Sequence, residues 1–456
     1  MTYKPFFPIL FIVVIISGVA RAQSTLSLYE AIRIALENQP KGMIASQQFQ
    51  KSKMALEVAR SELYPRLDLV FNNRYMKTIE KFEPIQISIT EPISKKTYTV
   101  SPSKDVPDYQ TDFSLQLTKN LYTGGRISEI IKEAKAQVRA AEINKLIQQR
   151  AIILFVINAY WELKQAEKIV NIYQEKVTYS ESILEVARKR YEKGALSGLE
   201  REKAEVDFFN NRGDLLYAKT AQKKAEDILL REMGIIHSGV QSILTLTDEP
   251  YYTFSKHNEE TVEKAVQKAL VLRPELTYIN SQIWSNKAKI GIVRADYFPQ
   301  VDIAGYYNCI GYSRDTLDDA WADLSRDYWA VKLIVKLNLF EGFATRKKID
   351  QVSSELSVWE LEMEKQKQII IQEVQQAYNC LIGAAERIIL SEHNITLAEK
   401  NLKAAKRQFE VGAATINLVA EYNLSLAETR ERYINALIDF EIAKAKLQWA
   451  IGEELF

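Results

Sequence analysis

The sequence predicts a mainly α-helical chain with a small β portion of the membrane-barrel type, built by using one structural unit twice. Three observations lead there. Landmarks in the first half of the 456-residue chain return in the same order in the second half. Each half holds a long tract without proline, rich in strong helix formers. Each half also holds two stretches in which apolar and polar residues alternate with period 2.

A repeat sets the architecture, so the duplication comes first. Glu30-Ala31, Ala35-Leu36 and Pro40 return as Lys264-Ala265, Ala269-Leu270 and Pro274, an offset of 234. Leu63-Tyr64-Pro65-Arg66-Leu67-Asp68 returns as Tyr297-Phe298-Pro299-Gln300-Val301-Asp302 at the same offset. The offset then falls to 218, where Leu121-Tyr122-Thr123-Gly124 matches Leu339-Phe340-Glu341-Gly342 and Met233-Gly234 matches Ile451-Gly452. The first copy therefore carries the longer loop between Pro65 and Gly124. The copies span residues 23–234 and 261–452, with a linker over 235–260 and a tail over 453–456.

Residues 1–22 read as an export signal. Lys4 supplies positive charge, Phe6 to Ile16 is apolar, and Ala20-Arg21-Ala22 fits a small-x-small cleavage site. No later stretch reaches the ~18 apolar residues a spanning helix needs, so a membrane role has to use strands. Shorter helices are expected at Leu28–Leu36, Gly42–Leu63, Thr261–Leu272 and Glu275–Ala295.

Four strands are expected, at about 66–76, 110–120, 300–312 and 328–339. The last alternates most clearly: Trp329, Val331, Leu333, Val335 and Leu337 against Tyr328, Ala330, Lys332, Ile334 and Lys336. One apolar face and one face with Lys, Arg and Asp suits a membrane barrel with a wet lumen. The alternation alone fits a soluble sheet lying on a core equally well. The export signal and the long helices favour the barrel. Lys77–Asp108, with four prolines, and Ser313–Asp327 read as irregular polar loops.

The helical tracts follow the strands. Arg126 to Lys193 has neither Pro nor Gly, and Thr345 to Val411 is interrupted only by Gly383. A helix of that length runs about 100 Å. Apolar seams at helical spacing, such as Val156, Tyr160 and Leu163, or Val374, Ala377 and Leu381, call for neighbouring helices. Each tract ends in a Gly turn followed by a Ser or Thr, a stop and a restart. The long hairpins are thus 126–233 and 345–451.

Other function classes find little support. Basic and acidic residues balance, 60 against 59, which gives no case for nucleic acid. No phosphate loop or nucleophile elbow stands at working spacing, so an enzyme is not expected. No metal site or cofactor is expected. His237, His257 and His393 lack ligand spacing, and Cys309 and Cys380 read as buried free thiols.

Four strands cannot close a pore, and an open edge in lipid leaves backbone groups unpaired at several kcal/mol each. Several chains must therefore pool their strands, and three copies give twelve. The landmarks resemble the TolC-type outer-membrane efflux protein family over nearly the whole mature chain. The matching pieces are Leu28-Tyr29-Glu30-Ala31-Ile32 through Pro40, Tyr64-Pro65 and Phe298-Pro299 before strands, and Leu121-Tyr122-Thr123-Gly124-Gly125-Arg126 and Phe340-Glu341-Gly342 after them. The turns Arg190-Tyr191-x-x-Gly194-x-x-Ser197 and Phe409-x-x-Gly412-x-x-Thr415 complete the set.

The resemblance implies a homotrimeric tunnel, a shared twelve-strand barrel in the outer-membrane lipid of a Gram-negative cell continued by a helical barrel across the periplasm. It implies an exit duct for efflux or type I secretion that docks a periplasmic adaptor and an inner-membrane pump. Carried over residue by residue, Arg190, Tyr191, Gly194, Ser197, Arg407, Phe409, Gly412 and Thr415 would meet the adaptor. Glu200 and Glu421 fall where the family's acidic residues narrow the pore, although Leu418 and Arg201 depart from its acidic pattern. The alternative is an exported periplasmic coiled-coil scaffold without channel activity, which leaves the four symmetric strands unexplained.

Overall fold

The computed structural model describes residues 25–77, 87–90, 97–100, 108–235, 244–252, 261–411 and 413–455. The export signal, His237, His257 and Gly412 lie outside them. In chain order the elements are β1 (Thr25–Leu26), α1 (Leu28–Asn38), α2 (Pro40–Ser61), β2 (Arg66–Tyr75), β3 (Ile87–Thr90), β4 (Thr97–Val100), β5 (Tyr109–Tyr122), α3 (Arg126–Glu192) and α4 (Gly198–Glu232). Then come β6 (Thr245–Leu246), α5 (Val262–Leu272), α6 (Pro274–Arg294), β7 (Gln300–Ser313), α7 (Leu317–Ala322), β8 (Arg326–Lys336), α8 (Ala344–Glu410) and α9 (Ile416–Ile451). Two units divide the chain: Gln47–Asn144 with Glu275–Gln366, and Met1–Ser46 with Lys145–Pro274 and Lys367–Phe456.

The first of these units holds a four-stranded antiparallel sheet in the order β2-β5-β7-β8. Its register lines up Leu69, Leu115, Tyr307 and Trp329 in one row across the strands. Because successive side chains point to opposite faces, every second row is of this kind. A bulge at Leu121, between the pairs of Asn120 and Tyr122, shifts the last pair of the β5–β7 ladder. The strands sit close to the expected positions, with β8 starting two residues earlier than 328 and ending at Lys336.

Both loops expected to be irregular hold structure. β3 and β4 pair antiparallel, Ile87 opposite Val100, since Ile-Ser-Ile-Thr and Thr-Tyr-Thr-Val are strand-formers by composition. α7 is started by Thr316, whose hydroxyl accepts from the Asp319 N–H at 3.1 Å. α2 and α6 both begin at a proline, which suits the first helical position, so α2 starts earlier than Gly42. Cys309 is half-buried and Cys380 exposed, so the expectation of two buried thiols fails.

The other unit is helical. α3 and α8 are 67 residues each over their whole length, and Gly383 does not break α8. Val156, Tyr160 and Leu163 of α3 are fully buried, against Ala31, Ile32 and Ala35 of α1 and Leu229 and Met233 of α4. β1 and β6 form a two-residue parallel pair beside this core, bringing part of the expected linker into the fold.

The duplication shows in how each hairpin closes. α4 ends at Gly234 and α9 at Gly452, both left-handed, with φ of 74° and 93°. Gly234 lies against the end of α1, too close for a side chain, and Gly452 lies tightly against the end of α5. The residue before each helix-starting proline then caps the same end. Gln39 donates to the carbonyl of Glu232 at 2.8 Å, and Arg273 to the carbonyl of Ala450 at 3.3 Å.

Candidate functional site

Two places carry the residues singled out by the sequence, one in each unit. The first is the sheet. Leu67, Leu69, Phe71, Leu117, Trp329, Val331, Leu333 and Val335 share one face, and all are exposed, Trp329 by 76%. The opposite face presents Arg66, Asp68, Gln116, Thr118, Asp302 and Lys332. Soluble monomers seldom expose contiguous apolar patches beyond a few hundred Å². Aromatic residues gather toward both ends of the strands. The Tyr75 and Tyr109 rings meet tilted at 4.9 Å and those of Phe71 and Phe113 edge-to-face at 4.9 Å, while Tyr64, Tyr122 and Phe298 stand exposed at the other end. β2 and β8 are the two edges, with no further strand beside them among the described residues.

The second place is the end of the helical hairpins. α3 stops in a Schellman turn: Gly194 N–H donates to Tyr191 O and Ala195 N–H to Arg190 O, both at 2.9 Å, with Gly194 at φ 71°. The matching 2.8 Å bond from Ala413 N–H to Gln408 O closes α8. Ser197 starts α4 in a capping box. Its hydroxyl accepts from Glu200 N–H at 3.2 Å, and the Glu200 carboxylate accepts from Ser197 N–H at 3.2 Å. Thr415 caps Leu418 N–H in α9 at 3.4 Å, with no acid three residues on to reciprocate.

The structure brings several of these residues together. The Arg190 guanidinium lies over the Phe409 ring at 4.3 Å, joining the ends of α3 and α8, and Arg201 lies over Tyr191 at 4.9 Å. Phe409 packs against two buried clusters, one holding Leu184, Ala187 and Ile416 and the other Leu402 and Val419. Tyr191 and Arg407 are exposed. Glu200 is half-buried with its carboxylate engaged at the cap, whereas Glu421 is exposed. Glu421 lines a cleft of about 470 Å³ with Lys176, Tyr179, Lys203, Asp207 and Asp214. Lys176 is paired to Asp214 at 3.0 Å. Burial pushes the Tyr179 hydroxyl up to about 12, so it stays protonated.

Sequence reasoning missed a polar clasp on β1 and β6. Lys164, nearly fully buried, donates to the Leu246 carbonyl at 3.0 Å and pairs with Glu249 at 3.0 Å. Lys168 reaches the same carboxylate at 2.7 Å. Burial raises the Glu249 carboxyl, but the hydrogen bonds from Lys168 and Lys164 outweigh it and the net shift is down. Glu167, 3.8 Å from Lys164, goes the other way, because its burial outweighs that lysine. Tyr160 donates to the Asp248 carboxylate at 2.6 Å, and burial, followed by that bond, holds its hydroxyl above the ordinary value. A lysine inside an apolar helical seam was the available signal. Among the described residues no helix is long and apolar enough to cross a membrane, and no cluster of His, Cys, Asp and Glu could hold a metal.

The family model described as outer membrane efflux protein matches residues 31–234 and 265–453. The chain is 23% identical over 327 residues to Outer membrane protein TolC of Vibrio cholerae serotype O1, covering 70% of this chain and 72% of that protein. It is 18% identical to Nodulation protein T of Rhizobium leguminosarum bv. trifolii, covering 70% and 67%. The fold resembles the solved structure of CusC, with a TM-score of 0.75 at 16% identity over 94% of this chain and 92% of that one. It also resembles the outer membrane protein VceC of Vibrio cholerae, with a TM-score of 0.74 at 17% identity over 94% and 97%.

Proposed function

As this chain belongs to the outer membrane efflux protein family, a family of channels and not of enzymes, we propose that it works as a homotrimeric exit duct. Three copies pool their sheets into one twelve-stranded barrel in the outer membrane, edge β2 of one copy pairing with edge β8 of the next. The helical hairpins continue the passage through the periplasm. An exposed apolar sheet face bounded by two open strand edges supports this reading. In water that face costs free energy in proportion to its area, and in lipid the edges cost several kcal/mol per unpaired group. Trimer closure in a bilayer removes both costs. A coiled-coil scaffold in the periplasm leaves the apolar face in water.

The duct receives substrate from an inner-membrane pump through a periplasmic adaptor, which meets the hairpin ends. Tyr191 and Arg407 are its exposed contacts, with Gly194, Ser197 and Thr415 shaping the turns and the Arg190–Phe409 pair holding them together. Glu421 narrows the passage, while Glu200 serves the α4 cap. Fractionation followed by planar-bilayer recording tests the reading. Detergent-extractable outer-membrane protein forming discrete pores is expected, and water-soluble protein without conductance refutes it. A photo-crosslinking residue at Tyr191 then captures an adaptor hairpin, or fails to and removes the tip from that role.

A further inference from the structure

We propose that α7 is an interfacial helix that seats Trp321 and Leu317 in the outer edge of the membrane, and so completes the lipid-facing band of the sheet. This rests on the barrel reading above. α7 lies on the apolar face, and three observations place it there. A Cβ at Gly311 would stand 1.9 Å from the Ala320 carbonyl oxygen, so the helix backbone touches the strand where no side chain fits. Thr111, opposite Gly311 on the same face, is fully buried, and so is Ala320. The Trp321 ring lies 6.0 Å from that of Phe71, one row further down that face.

The position has a physical purpose. From Val301 to Cys309 the rows of this face, apolar apart from Lys119 and Asp327 near the two ends, climb about 26 Å along the strand at ~3.3 Å per residue. With the usual barrel tilt this is about 20 Å of height, short of the ~25 Å apolar band such barrels present. The next row is Asn73, Thr111 and Gly311, polar or bare, and would end the band early. α7 covers that row. Thr111 is satisfied beneath it by a 3.1 Å bond to Asn73, and the outside becomes Leu317 and Trp321, each 37% exposed. Asp318 and Asp319 stand exposed beside them. An apolar body with a polar neighbourhood suits the headgroup level, where Trp is enriched.

A second copy of the chain is the other occupant to weigh. It joins the sheet in its plane, at the edges β2 and β8. α7 lies mainly over β5 and β7, the two central strands, and only the Trp321 ring reaches edge strand β2, from above its face and not in the plane where a second copy would pair. Lipid is therefore the occupant.

Spin labels at Trp321→Cys and Leu317→Cys, each in a Cys309→Ser, Cys380→Ser background, test this in phospholipid vesicles, with Val331→Cys as reference. The expected result is oxygen collision exceeding nickel-chelate collision at all three sites, with positions 317 and 321 shallower than 331. Nickel-dominated collision at 317 and 321 with a lipid-buried 331 overturns the interfacial helix and leaves the barrel standing. Immobile labels closed to both reagents mean a protein contact and also overturn it. A water-exposed 331 brings down the barrel reading and this inference together.

Discussion

Arg273→Ala should open the end of the second hairpin, by an amount that follows from its contacts. The side chain is 2% exposed. Its guanidinium donates to Glu373 at 2.7 Å and to the carbonyls of Ala450 and Trp449 at 3.3 and 3.5 Å, and lies over the Trp449 ring at 4.2 Å. Breaking a buried pair by removing one partner costs about 3–5 kcal/mol. Glu373 is 35% exposed and partly rehydrates, which lowers the expected loss to about 3 kcal/mol. Gln39 does the equivalent work in the first copy with a neutral amide, so Gln39→Ala should cost only about 1 kcal/mol. Hydrogen–deuterium exchange reads both locally, without assuming two-state unfolding of a long chain. Amides at the end of α9 should exchange ~100-fold faster in Arg273→Ala, and those at the end of α4 about fivefold faster in Gln39→Ala. Arg273→Lys should fall between. Less than a fivefold change in Arg273→Ala would refute the idea that this arginine holds the hairpin end.

Gly234→Ala should destabilise by at least ~2 kcal/mol, from left-handed strain of ~1–2 kcal/mol plus a Cβ placed 2.7 Å from the Asn38 carbonyl oxygen. Gly194→Ala, with open space around it, should show the strain alone, so thermal melts that rank it equal to or worse than Gly234→Ala would count against this packing. The lowered Glu249 carboxyl contributes stability that is present above its ordinary value of 4.5 and lost as pH falls through its folded value. Acidification should therefore lower the protection factors around β1 and β6, once the pH dependence of intrinsic amide exchange is divided out, and Glu249→Gln should flatten that dependence; the group is substantially exposed, so the effect is modest. Ser197→Ala should cost about 1 kcal/mol and fray the start of α4 more than Thr415→Ala frays α9, which exchange at the two helix starts will check. Glu421→Ala should raise single-channel conductance or weaken block by divalent cations, and unchanged recordings would remove Glu421 from the passage.

The parts of the fold readable from sequence are those with a long period to read. Val331, Leu333 and Val335 alternate over enough residues to declare a strand, and the proline-free tract from Arg126 declares a helix whatever its neighbours do. β1 and β6 are two residues each, too short to show any period, and their pairing depends on Lys164 and Tyr160 arriving from a distant helix. α7 is six residues in an acidic loop, and only Gly311 on the facing strand hinted that something packs there. At the tip, the family resemblance picked out Glu200 as a pore acid, yet its spacing from Ser197 is that of a capping box, and the carboxylate is committed there. Gln39 and Arg273 occupied matching places before proline in the two copies. Their shared duty stayed hidden because one is a neutral amide and the other a cation.

The mass of the detergent-extracted protein, measured by light scattering and corrected for bound detergent, tests the pooled barrel most directly. The account predicts three chains per particle, because four strands with two open edges close only in company. A monodisperse single chain, stable in water without detergent, would contradict it.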